Sequence, residues 1–119
     1  MKKTLVLGAS DNPARYSYKA VASLLRSGHS VIAVGNKKSA VMGIEITKEF
    51  PEVGSVDTVT LYLNPMNQRP YYEAIIHLQP KRIIFNPGTE NPELEQLAED
   101  ADIQTVEACT LVMLATGQY

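Results

Sequence analysis

The sequence predicts an α/β chain built on an open, doubly wound and mostly parallel sheet of about five strands, with helices on both faces. Three observations carry that expectation. Short apolar runs alternate with segments whose apolar residues recur at helical spacing. The runs Leu5-Val6-Leu7 and Val31-Ile32-Ala33-Val34 are apolar throughout, as strands buried on both faces are. Turn residues mark the joints between the two kinds of segment. Right-handed crossovers between parallel strands then leave few topologies.

Taken in order, residues 4–8 form a first strand that ends in Gly8. Tyr18, Val21, Leu24 and Leu25 follow at helical spacing, and Ser27-Gly28 closes that helix. Residues 29–35 hold the second buried strand, and residues 41–46 are a weaker strand candidate around Gly43. Residues 57–63 are rich in strand formers. A helix is expected from Pro70 to Leu78, with Tyr72, Ile75 and Ile76 facing inward. Residues 81–85 make another strand. Asn91-Pro92 supplies an N-cap and a first-turn proline for a helix carrying Leu94, Leu97 and Ala98. A last strand over residues 103–106 leads into a short helix through Leu114, stopped near Gly117. There is no internal repeat, linker or low-complexity stretch.

The 119 residues suit a single domain spanning 1–119, long enough to bury roughly two thirds of the unfolded surface. With 45% apolar and 20% charged residues the chain is not of the disordered kind. No apolar run approaches the ~18 residues of a membrane span, and the run after Met1-Lys2-Lys3 is too short for a signal-peptide core. One cysteine allows neither an internal disulfide nor a cysteine-based metal site, and His29 and His77 lack metal-ligand spacing. The expectation is a cytoplasmic protein with no metal and no membrane contact.

The net charge of −2 hides an asymmetry. Residues 1–50 carry eight Lys/Arg against three Asp/Glu, and residues 51–119 carry three against ten. A sequence-independent nucleic-acid binder would be basic throughout, so no nucleic-acid partner is expected. A local basic site for a small anion in the first half fits the pattern.

In doubly wound sheets the ligand sits at the carboxyl ends of the strands, which directs attention to residues 8–17, 35–39, 64–67 and 86–91. Gly8 permits a tight turn, and the small Ala9 and Ser10 let backbone amides come close to a phosphate. Ser10, Asn12 and Ser17 add neutral hydrogen-bonding groups before a helix whose dipole favours an anion. The bland alternative is a plain strand-to-helix turn. The loop is not a dinucleotide fingerprint, since the next glycine after Gly8 is Gly28, and it lacks the Gly-Lys-Ser/Thr of a P-loop. At the end of the second strand, Gly35-Asn36-Lys37-Lys38 offers no carboxylate for a ribose diol. A lysine pair there suits a ribose phosphate, as in NADP or coenzyme A, or else it is ordinary solvated surface. Asn86-Pro87-Gly88-Thr89 makes a turn at the same edge, where Gly88 lets the backbone approach a pantetheine or nicotinamide group.

Gly8-Ala9-Ser10, Asn12-Pro13, Ser17-Tyr18, Gly28 with Val31, Val41-Met42-Gly43 and Val56-Asp57 occur in an order that resembles small stand-alone CoA-binding proteins. Those are similar to the N-terminal, Rossmann-like domain of the succinyl-CoA synthetase alpha subunit. The resemblance runs from Lys3 to about Thr110 and is most specific over Gly8–Tyr18. It implies a ligand of coenzyme A or an acyl-CoA, with Gly8, Ala9, Ser10, Asn12 and Ser17 along the diphosphate and Lys37 and Lys38 near the nucleotide phosphate. The expected role is to sense or carry the cofactor, with a partner protein supplying any activity; a protein partner or a homo-oligomer is expected. The synthetase histidine lies in a domain outside these residues, so phosphoryl transfer is not expected. Two segments depart from the family pattern. Ala33-Val34-Gly35-Asn36-Lys37 stands where Pro-Val-Asn-Pro is common, and Asn86-Pro87-Gly88 where many members have Gln-x-Gly. An NADP-dependent oxidoreductase module and an interaction module without ligand remain the competing readings.

No residue is assigned to catalysis. Cys109 begins the last helix, where a thiol gains some activation, yet a small buried cysteine is the commoner outcome. His77 belongs at a helix end, and His29 in a turn. The acidic residues Glu90, Glu93, Glu95, Glu99, Asp100 and Asp102 read as a solvated helix face rather than a metal site.

Overall fold

The computed structural model describes all of Met1–Tyr119. Seven strands form one sheet: β1 (Thr4–Leu7), β2 (Val31–Val34), β3 (Ser39–Val41), β4 (Ile44–Thr47), β5 (Thr58–Leu61), β6 (Arg82–Phe85) and β7 (Gln104–Glu107). Their spatial order is β3-β4-β2-β1-β5-β6-β7, and every neighbouring pair is parallel except β3 with β4. The helices are α1 (Tyr16–Arg26), α2 (Pro65–Gln68), α3 (Tyr72–Leu78), α4 (Pro92–Asp100) and α5 (Thr110–Ala115), with a single 3-10 turn at Arg69–Tyr71 between α2 and α3.

The sheet has seven strands rather than about five, because residues 41–46 are not one strand. Met42 (φ 51°) and Gly43 (φ 80°) both sit in the left-handed region and turn the chain back on itself, pairing β3 with β4 as a hairpin. The expected helix over residues 70–78 is also broken. Pro70 lies in the 3-10 turn and α3 starts only at Tyr72. Of its expected inner residues Ile75 is buried, while Tyr72 and Ile76 pack half-buried against the same core. Leu97 is exposed, so α4 grips the sheet through Leu94 and Ala98 alone.

Strand alternation sorts the core into two layers. Leu5, Leu7, Val59, Leu61, Ile83 and Phe85 face α3 and α4, meeting Ile75, Leu78, Leu94 and Ala98. Val6, Ala33 and Ile46 face the other way onto Val21 and Leu24 of α1, with Leu114 of α5 beside them. On this second face β5 and β6 present polar groups, Thr58, Thr60 and Arg82, all buried. Thr60 is bonded to the Thr110 hydroxyl, while at the amino ends of the strands Thr58 and Arg82 lie beside Tyr119. Arg82 Nε donates to Thr58 Oγ1 at 2.9 Å, and its guanidinium lies 4.5 Å from the centre of the Tyr119 ring. The Tyr119 hydroxyl is hydrogen-bonded to Thr4 Oγ1. His29 is more than a turn residue, since its Nδ1 accepts the Lys2 amide at 3.0 Å and its ring stands edge-on to Tyr119. Burial and the nearby N-terminal, Lys2 and Arg82 charges hold its pKa below the usual histidine value.

Register decides where the loops gather. Leu7 pairs with both Val34 and Leu61, and Leu61 with Phe85. The residues one step on, Gly8, Gly35, Tyr62 and Asn86, therefore form a row along the carboxyl edge of the sheet. The chain reverses its direction of winding between β1 and β5, and that is where a crevice opens. No helix is long and apolar enough to cross a membrane.

Candidate functional site

A cavity of about 780 Å³ lies along this edge, within the range of small-molecule sites. It is lined by the loops after β1, β2, β5 and β6. Two glycines bring those loops together. A Cβ on Gly35 would stand 2.6 Å from the Ala9 carbonyl oxygen, and one on Gly8, at φ +93°, would stand 2.9 Å from the Tyr62 carbonyl oxygen. Their smallness thus serves contacts between loops of the chain itself, letting the β1 loop lie across the end of β2.

Gly8, Ala9, Ser10, Ser17, Gly35, Asn36, Lys37 and Gly88 all line the cavity. Asn12, Lys38 and Asn86 do not. Asn12 is exposed, and its Oδ1 accepts the Ala14 amide at 3.0 Å, shaping the turn before Arg15. Lys38 points into solvent. Asn86 is 2% exposed and spent internally: Nδ2 donates to Thr60 Oγ1 and the Leu61 carbonyl, while Oδ1 accepts the Thr110 amide. Gly88 borders the cavity with its amide already donated to Glu90 Oε1 at 2.9 Å.

At the head of α1 the situation is the reverse. Arg15 occupies the N-cap position with no side-chain cap, and the first turn holds no acidic residue. The amides of Tyr16, Ser17 and Tyr18 make no hydrogen bond within the chain. Such unpaired first-turn donors, with the positive end of the helix dipole behind them, suit an anion. Arg15, Tyr16 and Ser17 all border the cavity, so an anion there would meet amides, a hydroxyl and a guanidinium together.

Several lining residues went unassigned in the sequence. Tyr62, one residue past β5, is one: burial pushes its phenol up to about 12, against the opposing pull of the Thr60 and Thr110 hydroxyls. Leu63, Pro70 and Tyr71 add an apolar wall, and Asn64 and Asn67 a polar rim. Asp11 matters most for the electrostatics. Its Oδ2 accepts from Ser39 Oγ at 2.6 Å and lies 3.5 Å from Lys37 Nζ. The Ser39 hydroxyl and the Lys37 ammonium hold its carboxyl below the usual carboxylate range. The end of β2 therefore has a carboxylate after all, delivered from the preceding loop. Cys109 is half-buried at the head of α5 and is outside the cavity, as is His77 at the exposed end of α3. No group of three or more His, Cys, Asp or Glu residues is placed to hold a metal ion.

The model of the CoA binding domain family matches residues 2–115. Among solved structures, one described as an uncharacterized protein is 52% identical, with a TM-score of 0.96 over 100% of this chain and 98% of that one. A hypothetical protein from Pyrococcus horikoshii OT3 is 26% identical, with a TM-score of 0.88 over 97% of this chain and 82% of its own. A protein from Thermus thermophilus at 22% identity shares the fold, with a TM-score of 0.83 over 99% of this chain and 91% of that one. No curated protein matches the chain.

Proposed function

The chain belongs to the CoA binding domain family, and on that premise we propose that its single domain binds coenzyme A or an acyl-CoA in the carboxyl-edge cavity without catalysing a reaction itself. The diphosphate takes the open first turn of α1, beside Ser10, Ser17 and Arg15. The adenosine runs toward Gly35, Asn36 and Lys37, where Lys37 meets the ribose phosphate. The pantetheine arm follows Tyr62 and Leu63 toward Gly88. The observation that supports this most is the uncapped, acid-free head of α1 opening on a cavity that also presents Arg15 and Lys37. Among these contacts, amides and hydroxyls give direction to the phosphates, and the two cations supply charge.

Calorimetric titration with CoA, acetyl-CoA, NADPH and NADH in parallel tests it. CoA and acetyl-CoA are expected to bind at about micromolar Kd, near −8 kcal/mol, with NADPH and NADH far weaker. Tight NADPH binding without heat from CoA would assign the cavity to a nicotinamide cofactor instead.

A further inference from the structure

We propose that Asp11 determines specificity at the ribose end of the cavity, because its carboxylate takes the place between Lys37 and Ser39 that a ribose phosphate needs, so the phosphate is bound only in exchange for Asp11. The inference rests on the coenzyme A reading above and concerns how that site discriminates among nucleotides.

The argument begins with donor supply. Ser39 has one hydroxyl proton, and it is given to Asp11 Oδ2 at 2.6 Å. Lys37 Nζ approaches the same oxygen at 3.5 Å. Two donors from the β2 end of the cavity thus converge on one carboxylate oxygen carried by the β1 loop. A phosphate monoester is also an acceptor with negative charge, and it competes for both donors. It cannot sit beside an ionised Asp11 without like-charge repulsion. Nor does protonation of Asp11 relieve this near neutrality, since Ser39 and Lys37 both favour the ionised form.

Exchange is feasible in this geometry. The Lys37 side chain is 76% exposed and the Asp11 side chain 36%, so the lysine can turn to a ligand from the solvent side while the more sheltered carboxylate swings away. A ribose with free hydroxyls demands no such exchange, because it brings no negative charge against Asp11 and no claim on the Lys37 ammonium. Asp11 therefore lowers affinity for ribose-phosphorylated nucleotides and leaves their dephospho forms alone.

The test is titration of CoA and dephospho-CoA into the wild-type protein and Asp11→Asn, which keeps the size of the side chain. Asp11→Asn is expected to tighten CoA about tenfold and to shift dephospho-CoA by less than about twofold. An equal gain for both ligands would show that Asp11 acts on the diphosphate and would overturn the inference. Unchanged CoA with weaker dephospho-CoA would make Asp11 a ribose-hydroxyl acceptor, which also overturns it. In both of those cases the coenzyme A reading stands. Absence of binding by either ligand to either protein removes that reading, and the inference with it.

Discussion

Two helices leave the carboxyl edge of the same sheet and begin in opposite ways. At α4, Asn91 Oδ1 accepts the amides of Glu93 and Leu94, the Asn91 carbonyl accepts that of Glu95, and Pro92 has no amide to satisfy. Glu93 and Glu95 complement the dipole from within the chain. Asn91 Nδ2 also donates to Gln68 Oε1 and to the Tyr72 hydroxyl, locking the cap into the core. At α1 none of this is present: no side-chain cap, no acid in the first turn, and Arg15 at the N-cap. A helix start that satisfies itself contributes to stability, whereas one left open beside a cavity is suited to a ligand that brings the missing acceptors. The contrast separates the two loops better than their glycines do, since Gly8 and Gly88 both have positive φ.

The largest effect should come from removing the closed cap. Asn91→Ala strips two amides of their acceptor and leaves Gln68 and Tyr72 short of a partner, which should cost about 2–3 kcal/mol of folding stability in urea titration. CoA binding should remain near wild type, and a stability loss within experimental scatter would break the comparison. Making α1 resemble α4 is the converse. Tyr16 is 68% exposed at the first position of α1, so Tyr16→Glu should add about 0.3–1 kcal/mol of stability through the dipole. The same substitution should weaken CoA about tenfold, by placing a negative charge where the diphosphate is proposed to lie. Unchanged affinity would move the diphosphate off α1. The smallest effect separates the two lysines after β2. Lys37→Ala should weaken CoA about fivefold relative to dephospho-CoA, whereas Lys38→Ala, outside the cavity, should leave the ratio unchanged.

Features that depend on a few neighbouring residues could be read directly from the chain. The α4 cap is one, because Asn91, Pro92, Glu93 and Glu95 lie within a single turn. The strand β1 and the turn after it are another, carried by a buried apolar run ending in Gly8. The hairpin at 39–47 was harder, since the first of its turn residues with positive φ is Met42 rather than a glycine or asparagine. Leu97 fits the helical apolar spacing, but α4 is only nine residues long and is held by Leu94 and Ala98. Asn86 looked like a ligand group because sequence places it at the edge without saying which way it faces. Its partners Thr60, Leu61 and Thr110 lie 24 to 26 residues away along the chain.

The charge asymmetry also narrows once the chain is folded. Of the eight basic residues in the first half, only Arg15 and Lys37 border the cavity, and Asp11 stands against Lys37. By itself the sequence determined the alternation of strands and helices and the edge at which the loops gather, because period, caps and turn residues act over a few positions. Only the tertiary structure decided which polar groups meet. Asp11 reaches Ser39 and Lys37, Asn86 turns inward, and Tyr119 returns to Thr4 and Arg82, because the packing of loops and chain end against the sheet brings together residues that no local pattern connects.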